Sequence, residues 1–233
     1  MFAIFKREFK SYFSTPIGFI VLAAFYFFLG LFFSLIYQSG SPDISMVIMA
    51  MSTVAVFTMP VLTMRLMSED RRQKVDQALL TAPVKLTGIV LGKFFAALAV
   101  FALGFAPTVI FEIIIASYVS VNVMSYIYAL FGMLLLGSAL IAIGMFISSL
   151  TESSVISAIL TLVINILVLY MSNFASMINV SWIAAAVEKA AFISAAENFG
   201  ESVLSVPDIL YFVSISAAFL FLCVRSLDKR RWA

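Results

Sequence analysis

Residues 17–37 read IGFIVLAAFYFFLGLFFSLIY, an uncharged run of 21 residues that is long enough to cross a bilayer as a helix. Pro16 precedes the run, at a first-turn position where proline is well tolerated. The rest of the chain is similar in character: 64% of its 233 residues are hydrophobic, 11% are charged, and the mean hydropathy is +1.13. A soluble domain could not bury so much apolar surface in one core. The sequence therefore predicts an all-α integral membrane protein.

Five more apolar runs follow the first, each bounded by polar or helix-breaking residues. The second follows Ser41-Pro42-Asp43 and the last follows Pro207-Asp208, and both patterns are typical of a helix start. We predict one membrane domain, residues 1–233, with six membrane-spanning helices at 17–37, 44–64, 94–119, 124–147, 155–171 and 209–224.

The basic residues give this topology an orientation. Thirteen of the 14 Lys and Arg residues lie before the first run, between the second and third, or after the sixth, and only Lys189 lies on the opposite side. Because basic residues concentrate in cytoplasmic loops, both termini are predicted to be cytoplasmic.

Several classes of chemistry have no residues to support them. The chain has no histidine, and its one cysteine, Cys223, lies in an apolar run. The sequence from Gly88 to Gly92-Lys93-Phe94 has one residue too few between its glycines, and no Ser or Thr after the lysine, for a phosphate-binding loop. Close helix packing through the two glycines is preferred. We expect no catalytic residue, cofactor, metal site or nucleic-acid partner.

Residues 1–15 form an amphipathic pattern. Aromatic side chains fall on one arc of a helix, and the opposite arc carries Lys6, Arg7 and Lys10. Such a helix lies in the cytoplasmic interface of the bilayer with its cations near anionic headgroups. It serves either as a topology anchor or as an interfacial elbow helix that also touches a partner.

The polar segment 65–86 is much longer than a simple connection between two spans requires. It is either a solvated loop or a short helix that docks on a soluble partner, and its mixed charges and apolar tip favour docking. The candidate contact residues are Arg65, Glu69, Asp70, Arg71, Arg72, Asp76, Leu79, Leu80 and Pro83.

Two polar residues interrupt predicted spans. Asn165 is placed near the bilayer centre, where its amide should find a partner within the bundle. Glu112 is either a functional group in the membrane or a residue at the outer headgroups. Residues 172–206, which are rich in alanine, are predicted to form an external re-entrant or interfacial segment before the sixth span.

These features together resemble the type-2 ABC exporter permeases, in particular their compact gliding-motility-associated and NosY-like branch. The sequence departs from that pattern at Gln73-Lys74-Val75, where the family tends to carry a glycine-threonine turn. The matching stretches are IFKREFKSYFSTP (4–16), LLTAPV (79–84), IVLGKF (89–94), DILYFVSIS (208–216) and VRSLDKRRW (224–232).

The resemblance implies an elbow helix at the N-terminus, a cytoplasmic coupling helix between the second and third spans, and re-entrant helices before the sixth. It implies a bacterial inner or plasma membrane, two copies of an ABC ATP-binding subunit that bind ATP and magnesium, and a second permease subunit of the same or a different chain. An accessory membrane or extracellular subunit would fit the same assembly.

The function expected from this resemblance is that of a permease subunit, of an exporter, driven by ATP hydrolysis in a separate subunit. A non-transporting membrane scaffold that uses the same loop to hold a soluble protein is the alternative. An intramembrane hydrolase has little support, because no span offers paired carboxylates or a nucleophile with a base.

Overall fold

The computed structural model describes residues 1–38, 43–73, 85–118, 122–171, 192, 199 and 205–231, and the ordered elements within them are helices. A helix is present where the elbow helix is predicted, and it ends at Ser14, one residue before the predicted limit. The helices are α1 (Phe2–Ser14), α2 (Pro16–Gln38), α3 (Ile44–Thr63), α4 (Ser68–Arg72), α5 (Leu86–Gly104), α6 (Ala106–Ala116), α7 (Val123–Leu150), α8 (Ser154–Leu169) and α9 (Val206–Arg231).

Among the described residues, five helical stretches are long and apolar enough to cross a membrane, which agrees with a multi-pass protein. They are Pro16–Gln38, Ile44–Arg72, Leu86–Ala116, Val123–Leu150 and Val206–Lys229. The fifth predicted run forms α8, whose 16 residues extend for about 24 Å, short of a hydrocarbon core of about 30 Å. The five long stretches therefore support five of the six predicted spans.

Helix α7 lies at the centre of the bundle and contacts α3, α5, α8 and α9. Its glycines allow these neighbours to approach closely. A Cβ atom built on Gly137 would lie 2.0 Å from Cε1 of Phe101 in α5, and one built on Gly132 would lie 2.4 Å from Cγ of Phe199. Aromatic rings thus fill the spaces that small residues leave on α7.

The third predicted span differs from the structure in two respects. Its helix begins at Leu86 rather than near residue 94, and it is interrupted between α5 and α6 at Phe105. Pro107 has no N–H to donate to the carbonyl of Leu103 one turn earlier. The hydroxyl of Tyr26 in α2 donates to that carbonyl at 3.2 Å, so the interruption is satisfied by a neighbouring helix.

The predicted re-entrant segment, 172–206, lies almost entirely outside the described residues. Two of its aromatic side chains are described, and both are buried. The ring of Phe192 packs edge-on against Phe212 of α9, with 5.4 Å between the ring centroids, and Phe199 packs against α7 at Gly132.

Candidate functional site

A buried ion cluster joins three helices at the end of the bundle that carries the basic residues of α1, α4 and α5. The ammonium group of Lys93 in α5 lies 2.8 Å from Oδ2 of Asp70 in α4 and 3.1 Å from Oε1 of Glu8 in α1. The Lys93 side chain is only 2% exposed. Its charge is therefore matched by carboxylates from two other elements, as a buried cation requires.

Arg7 completes the cluster from its exposed side. Its guanidinium lies 2.5 Å from Oε1 of Glu8 and 3.8 Å from Oδ2 of Asp70. Burial alone lowers the pKa of Arg7, but the hydrogen bond and charge of Glu8, with the charge of Asp70, outweigh that effect and raise it. Two cations thus face two carboxylates, and the cluster is electrically balanced.

Gly92 allows the close contact that brings Glu8 to Lys93. A Cβ atom on Gly92 would lie 3.0 Å from both the carbonyl oxygen of Met1 and Cγ2 of Ile4. The close packing predicted for the two glycines is thus observed at Gly92, whereas a Cβ on Gly88 would meet its nearest atom at 3.9 Å. Helix α1 therefore lies against the first turns of α5.

Tyr12 attaches α1 to the end of α3. Its buried hydroxyl donates to the carbonyl of Leu62 at 2.9 Å. That carbonyl needs a donor because the N–H of Leu66, which would bond to it in a continuing helix, bonds instead to Thr63. Burial, and secondarily the charge of Glu8, raises the pKa of Tyr12 well above its usual range, so the hydroxyl keeps its proton and remains a donor.

Ser148 in the last turn of α7 supports the connection between α3 and α4. Its hydroxyl accepts from the backbone N–H groups of Met67 and Ser68, at 3.1 and 3.0 Å, and donates to the carbonyl of Met64 at 3.0 Å. One side chain thus satisfies three backbone groups where the helix is interrupted.

Helix α4 is also bonded to the turn between α7 and α8. The guanidinium of Arg71 donates to the carbonyl of Leu150 at 3.0 Å and lies 2.9 Å from Oε1 of Glu152. The hydroxyls of Ser68 and Ser154 are 3.1 Å apart. Helix α4 therefore contacts three parts of the chain: the elbow helix with α5, the end of α7, and the start of α8.

A cleft of about 320 Å³ opens between α1 and the segment that runs from the end of α3 through α4. Glu69 lies on its wall, 3.7 Å from Nε of Arg65 and 3.1 Å from Nε2 of Gln73. Its lining includes both charged and apolar side chains, among them Arg7, Glu8, Tyr12, Arg65, Leu66, Glu69 and Asp70.

The predicted contact residues in the described part of the chain divide into two groups. Arg65, Glu69, Asp70 and Arg71 form ion pairs within this chain, while Arg72 at the end of α4 is exposed. On α1, Lys6, Arg7 and Lys10 are exposed, as the amphipathic pattern predicts. The remaining candidates, Asp76, Leu79, Leu80 and Pro83, lie outside the described residues.

The two intramembrane candidates lie on other helices. Glu112 is half-buried on α6. Asn165 on α8 is fully buried, and its amide has no hydrogen-bond partner within the described part of the chain. The partner that the sequence led us to expect for this amide is thus not found there.

No sequence pattern marked Glu8, Tyr12, Lys93 or Ser148 as site residues. Lys93 offered a usable signal, because it lies eight residues after Lys85 in a run that is otherwise uncharged. A lysine inside an apolar helix needs a counter-ion, and the predicted topology restricts the search to the six of 12 acidic residues that lie on the same side as Lys93.

The fold defines a helical multi-pass membrane protein whose amphipathic N-terminal helix is ion-paired to the end of its second long apolar stretch. Residues 1–196 match the sequence model of the ABC-2 type transporter family, and the chain belongs to this family as a membrane permease domain. In this family ATP hydrolysis resides in a separate subunit. No curated protein matches the sequence significantly.

Proposed function

We propose that the chain is the permease subunit of an ATP-driven exporter and that residues 65–86 transmit the movement of its ATP-binding subunits to the membrane helices. The ATP and magnesium would be bound by two copies of that partner. The observation that carries the proposal is the Lys93 ion cluster, which joins α1, α4 and α5 through one buried cation.

The connections of α4 make it suited to transmit force. It follows α3 after the turn at residues 64–67, is paired to α5 through Asp70, and is bonded to the α7–α8 turn through Arg71. A displacement of α4 would therefore act on several membrane helices at once, which is the kind of rigid-body movement that alternating access requires.

Arg72 is the described residue of α4 best placed to contact a partner. It is exposed, whereas Asp70 and Arg71 bind within the chain. We expect Asp76, Leu79, Leu80 and Pro83 to extend the same contact surface. The two exposed lysines of α1, Lys6 and Lys10, would lie at the lipid headgroups.

In this proposal both termini are cytoplasmic, and a second permease subunit, identical or different, completes the transport pathway. An accessory membrane or extracellular subunit can join the same complex. We further propose that the chain belongs to the gliding-motility-associated and NosY-like branch, which the stretches at 4–16 and 208–232 resemble.

The decisive experiment is isolation of the tagged chain from its native membrane, followed by measurement of ATP hydrolysis in the isolated complex. We expect the complex to hydrolyse ATP and the Arg72→Glu variant to lose at least tenfold of that activity. A like charge at a docked surface costs several kcal/mol, which is enough to weaken binding of the partner by more than tenfold. Lys189→Glu is the matched control, since the charge pattern places Lys189 on the opposite side. A stable complex without nucleotide hydrolysis would indicate the scaffold function instead.

A further inference from the structure

Helix α8 carries three polar side chains at four-residue spacing, Ser157, Thr161 and Asn165. We call these residues the α8 stripe. A spacing of four places them on one face of the helix, over about 12 Å of its length. All three are 0% exposed.

No polar side-chain atom of the α8 stripe has a hydrogen-bond partner within the described part of the structure: Ser157 Oγ, Thr161 Oγ1, and both Nδ2 and Oδ1 of Asn165. Other buried hydroxyls in the bundle are bonded. Ser138 pairs with Ser216 at 3.0 Å, and Thr108 donates to the carbonyl of Phe105 at 2.7 Å. Buried polar atoms are rarely left unbonded in native proteins, so the α8 stripe requires an explanation.

The α8 stripe faces the interior of the bundle, where α8 contacts α3 and α7. A Cβ atom on Gly144 of α7 would lie 3.0 Å from Cγ2 of Thr161 and 2.3 Å from Oγ1 of Thr63 in α3. The three helices therefore meet at this point. Thr63 offers Thr161 no proton, because its hydroxyl donates to the carbonyl of Met59 at 2.9 Å.

The opposite face of α8 is apolar and exposed. Ile159 is 56% exposed and Val163 is 48% exposed, as lipid-facing side chains would be. A second subunit seated on this outer face could not reach the α8 stripe while α8 keeps its present packing. A partner for the stripe must therefore come from between α8 and its neighbours in the same chain.

The start of α8 is bonded to α4, through Ser68 to Ser154 and through Arg71 to the preceding turn at Glu152. A displacement of α4 would act first on this end of α8, which is the end that carries Ser157. A displacement of α4 can therefore move α8, and none of the described residues forms a hydrogen bond to the side chains of the α8 stripe that would hold the helix in place.

We propose that α8 separates from α3 and α7 in a second conformation and that Ser157, Thr161 and Asn165 then line a water-filled seam within the single chain. The stripe consists of two hydroxyls and one amide, so the groups that it binds are water and other uncharged hydrogen-bonding groups. The proposal that a displacement of α4 causes this movement rests on the proposed function. The proposal that water reaches the α8 stripe is independent of it.

Thiol labelling tests the hydration of the α8 stripe. In a Cys223→Ala background, the single variants Ser157→Cys, Thr161→Cys and Asn165→Cys are made in the full-length chain and treated in native membranes with a small, permanently charged methanethiosulfonate. This reagent reacts with the ionised thiol, which forms in water and not in lipid. Ile159→Cys, Val163→Cys and Leu167→Cys are matched controls on the lipid-facing side of the same helix.

We expect the stripe cysteines to react at least tenfold faster than the controls. Rates no faster than those of the controls would overturn the proposal, and so would equally fast reaction on both faces, which indicates a loosened helix. Because Ser157→Cys and Thr161→Cys change little in volume, they carry the test if Asn165→Cys does not reach the membrane.

Addition of ATP and vanadate to the same membranes separates this inference from the proposed function. A change of at least threefold in the stripe rates supports the pull by α4. Fast stripe labelling that nucleotide leaves unchanged supports the water-filled seam and contradicts its coupling to ATP hydrolysis.

Discussion

The buried ammonium of Lys93 shows how one side chain can organise a joint between helices. Removing a charge from water is costly, and the cost is recovered only when well-placed partners surround it. Lys93 has two carboxylate partners within 3.1 Å, and neither belongs to its own helix. The position of α1 and α4 against α5 is thus tied to the charge of a single residue.

Replacement of Lys93 by methionine should destabilise the chain. Met fits the apolar stem of Lys but leaves Glu8 and Asp70, at 14% and 20% exposure, with Arg7 as the one cation for two carboxylates. We expect a loss of roughly 2–3 kcal/mol in the free energy of unfolding, less than for a fully buried pair. The measurement is the temperature at which the detergent-solubilised chain loses its monodisperse peak.

Lys6→Met is the control for this change. Lys6 lies exposed on α1, so the same substitution there should alter stability by no more than about 0.5 kcal/mol. The triple variant Glu8→Gln, Asp70→Asn, Lys93→Met should recover much of the loss, because it leaves no buried unpaired charge and the Arg7 side chain, at 46% exposure, remains solvated. Equal melting temperatures for Lys93→Met and the unmodified chain would show that the ion cluster contributes nothing to stability.

At this scale the sequence identified charged candidates but not their partners. It selected Asp70 and Arg71 as contacts for another protein, whereas the structure pairs them with Lys93 and Glu152. A pairing of residues 8, 70 and 93 depends on the packing of three helices, and no local pattern encodes that packing. The amphipathic face of α1, which depends only on helical periodicity, was predicted correctly.

Among the elements, α4 depends most on its surroundings. A helix of five residues cannot stabilise itself, because its few backbone bonds do not offset the cost of helix nucleation. Its first N–H groups are satisfied by Ser148 of α7, and its side chains Asp70 and Arg71 are held by α5 and the α7–α8 turn. The proposed coupling element is therefore held by tertiary contacts at both ends.

Ser148→Ala should loosen α4 selectively. The substitution removes the acceptor for Met67 and Ser68 and the donor for Met64, for a loss of about 2 kcal/mol, at the upper end of the range for a helix cap. Hydrogen exchange followed by mass spectrometry should show faster exchange in residues 66–72, with α7 unchanged. Thr58→Ala is the control, because the Thr58 hydroxyl bonds to Val54 in its own helix. Unchanged exchange at 66–72 would contradict the role of Ser148.

Substitution of Gly137 tests how closely α7 packs against α5. Gly137→Ala places a methyl group where Cε1 of Phe101 would be 2.0 Å away, so Phe101 must move and the cost should be roughly 1–3 kcal/mol. Gly30→Ala is the matched control, since no atom lies within 4 Å of its added Cβ, and it should be neutral or slightly stabilising. Thermal melting of the two variants in detergent measures the difference. Equal melting temperatures would show that α5 and α7 are not closely packed.

The sequence predicted the membrane helices well where hydrophobicity sets their limits. The first two predicted runs, 17–37 and 44–64, agree with α2 and α3 to within one residue at each end. The start of α5 was placed eight residues too late because Lys93 was assigned to the polar loop. The helix can include Lys93 because the carboxylates of Glu8 and Asp70 pair with its ammonium group. Hydropathy alone does not reveal such partners.

For the whole molecule, the distribution of charge predicts which side of the membrane each end of the bundle faces. Cations gather at the end that holds the ion cluster, where Arg7, Arg71 and Lys93 belong to three different helices. Helix α7 is 28 residues long and its last turn lies at this end, so its first turn lies at the opposite end of the bundle. Asn122 caps that first turn through Oδ1. Because positively charged segments are retained in the cytoplasm, Arg72 should face inward and Asn122 outward.

This orientation can be tested with two cysteines on a Cys223→Ala background. A membrane-impermeant maleimide added to intact cells should label Asn122→Cys and should label Arg72→Cys only after the cells are opened. Both sites suit the reagent, because Arg72 is exposed at the end of α4 and Asn122 is exposed before α7. Labelling of Arg72→Cys from outside intact cells would reverse the topology. It would also place the proposed coupling segment on the side where no ATP is available to drive it, so the orientation and the proposed mechanism depend on the same result.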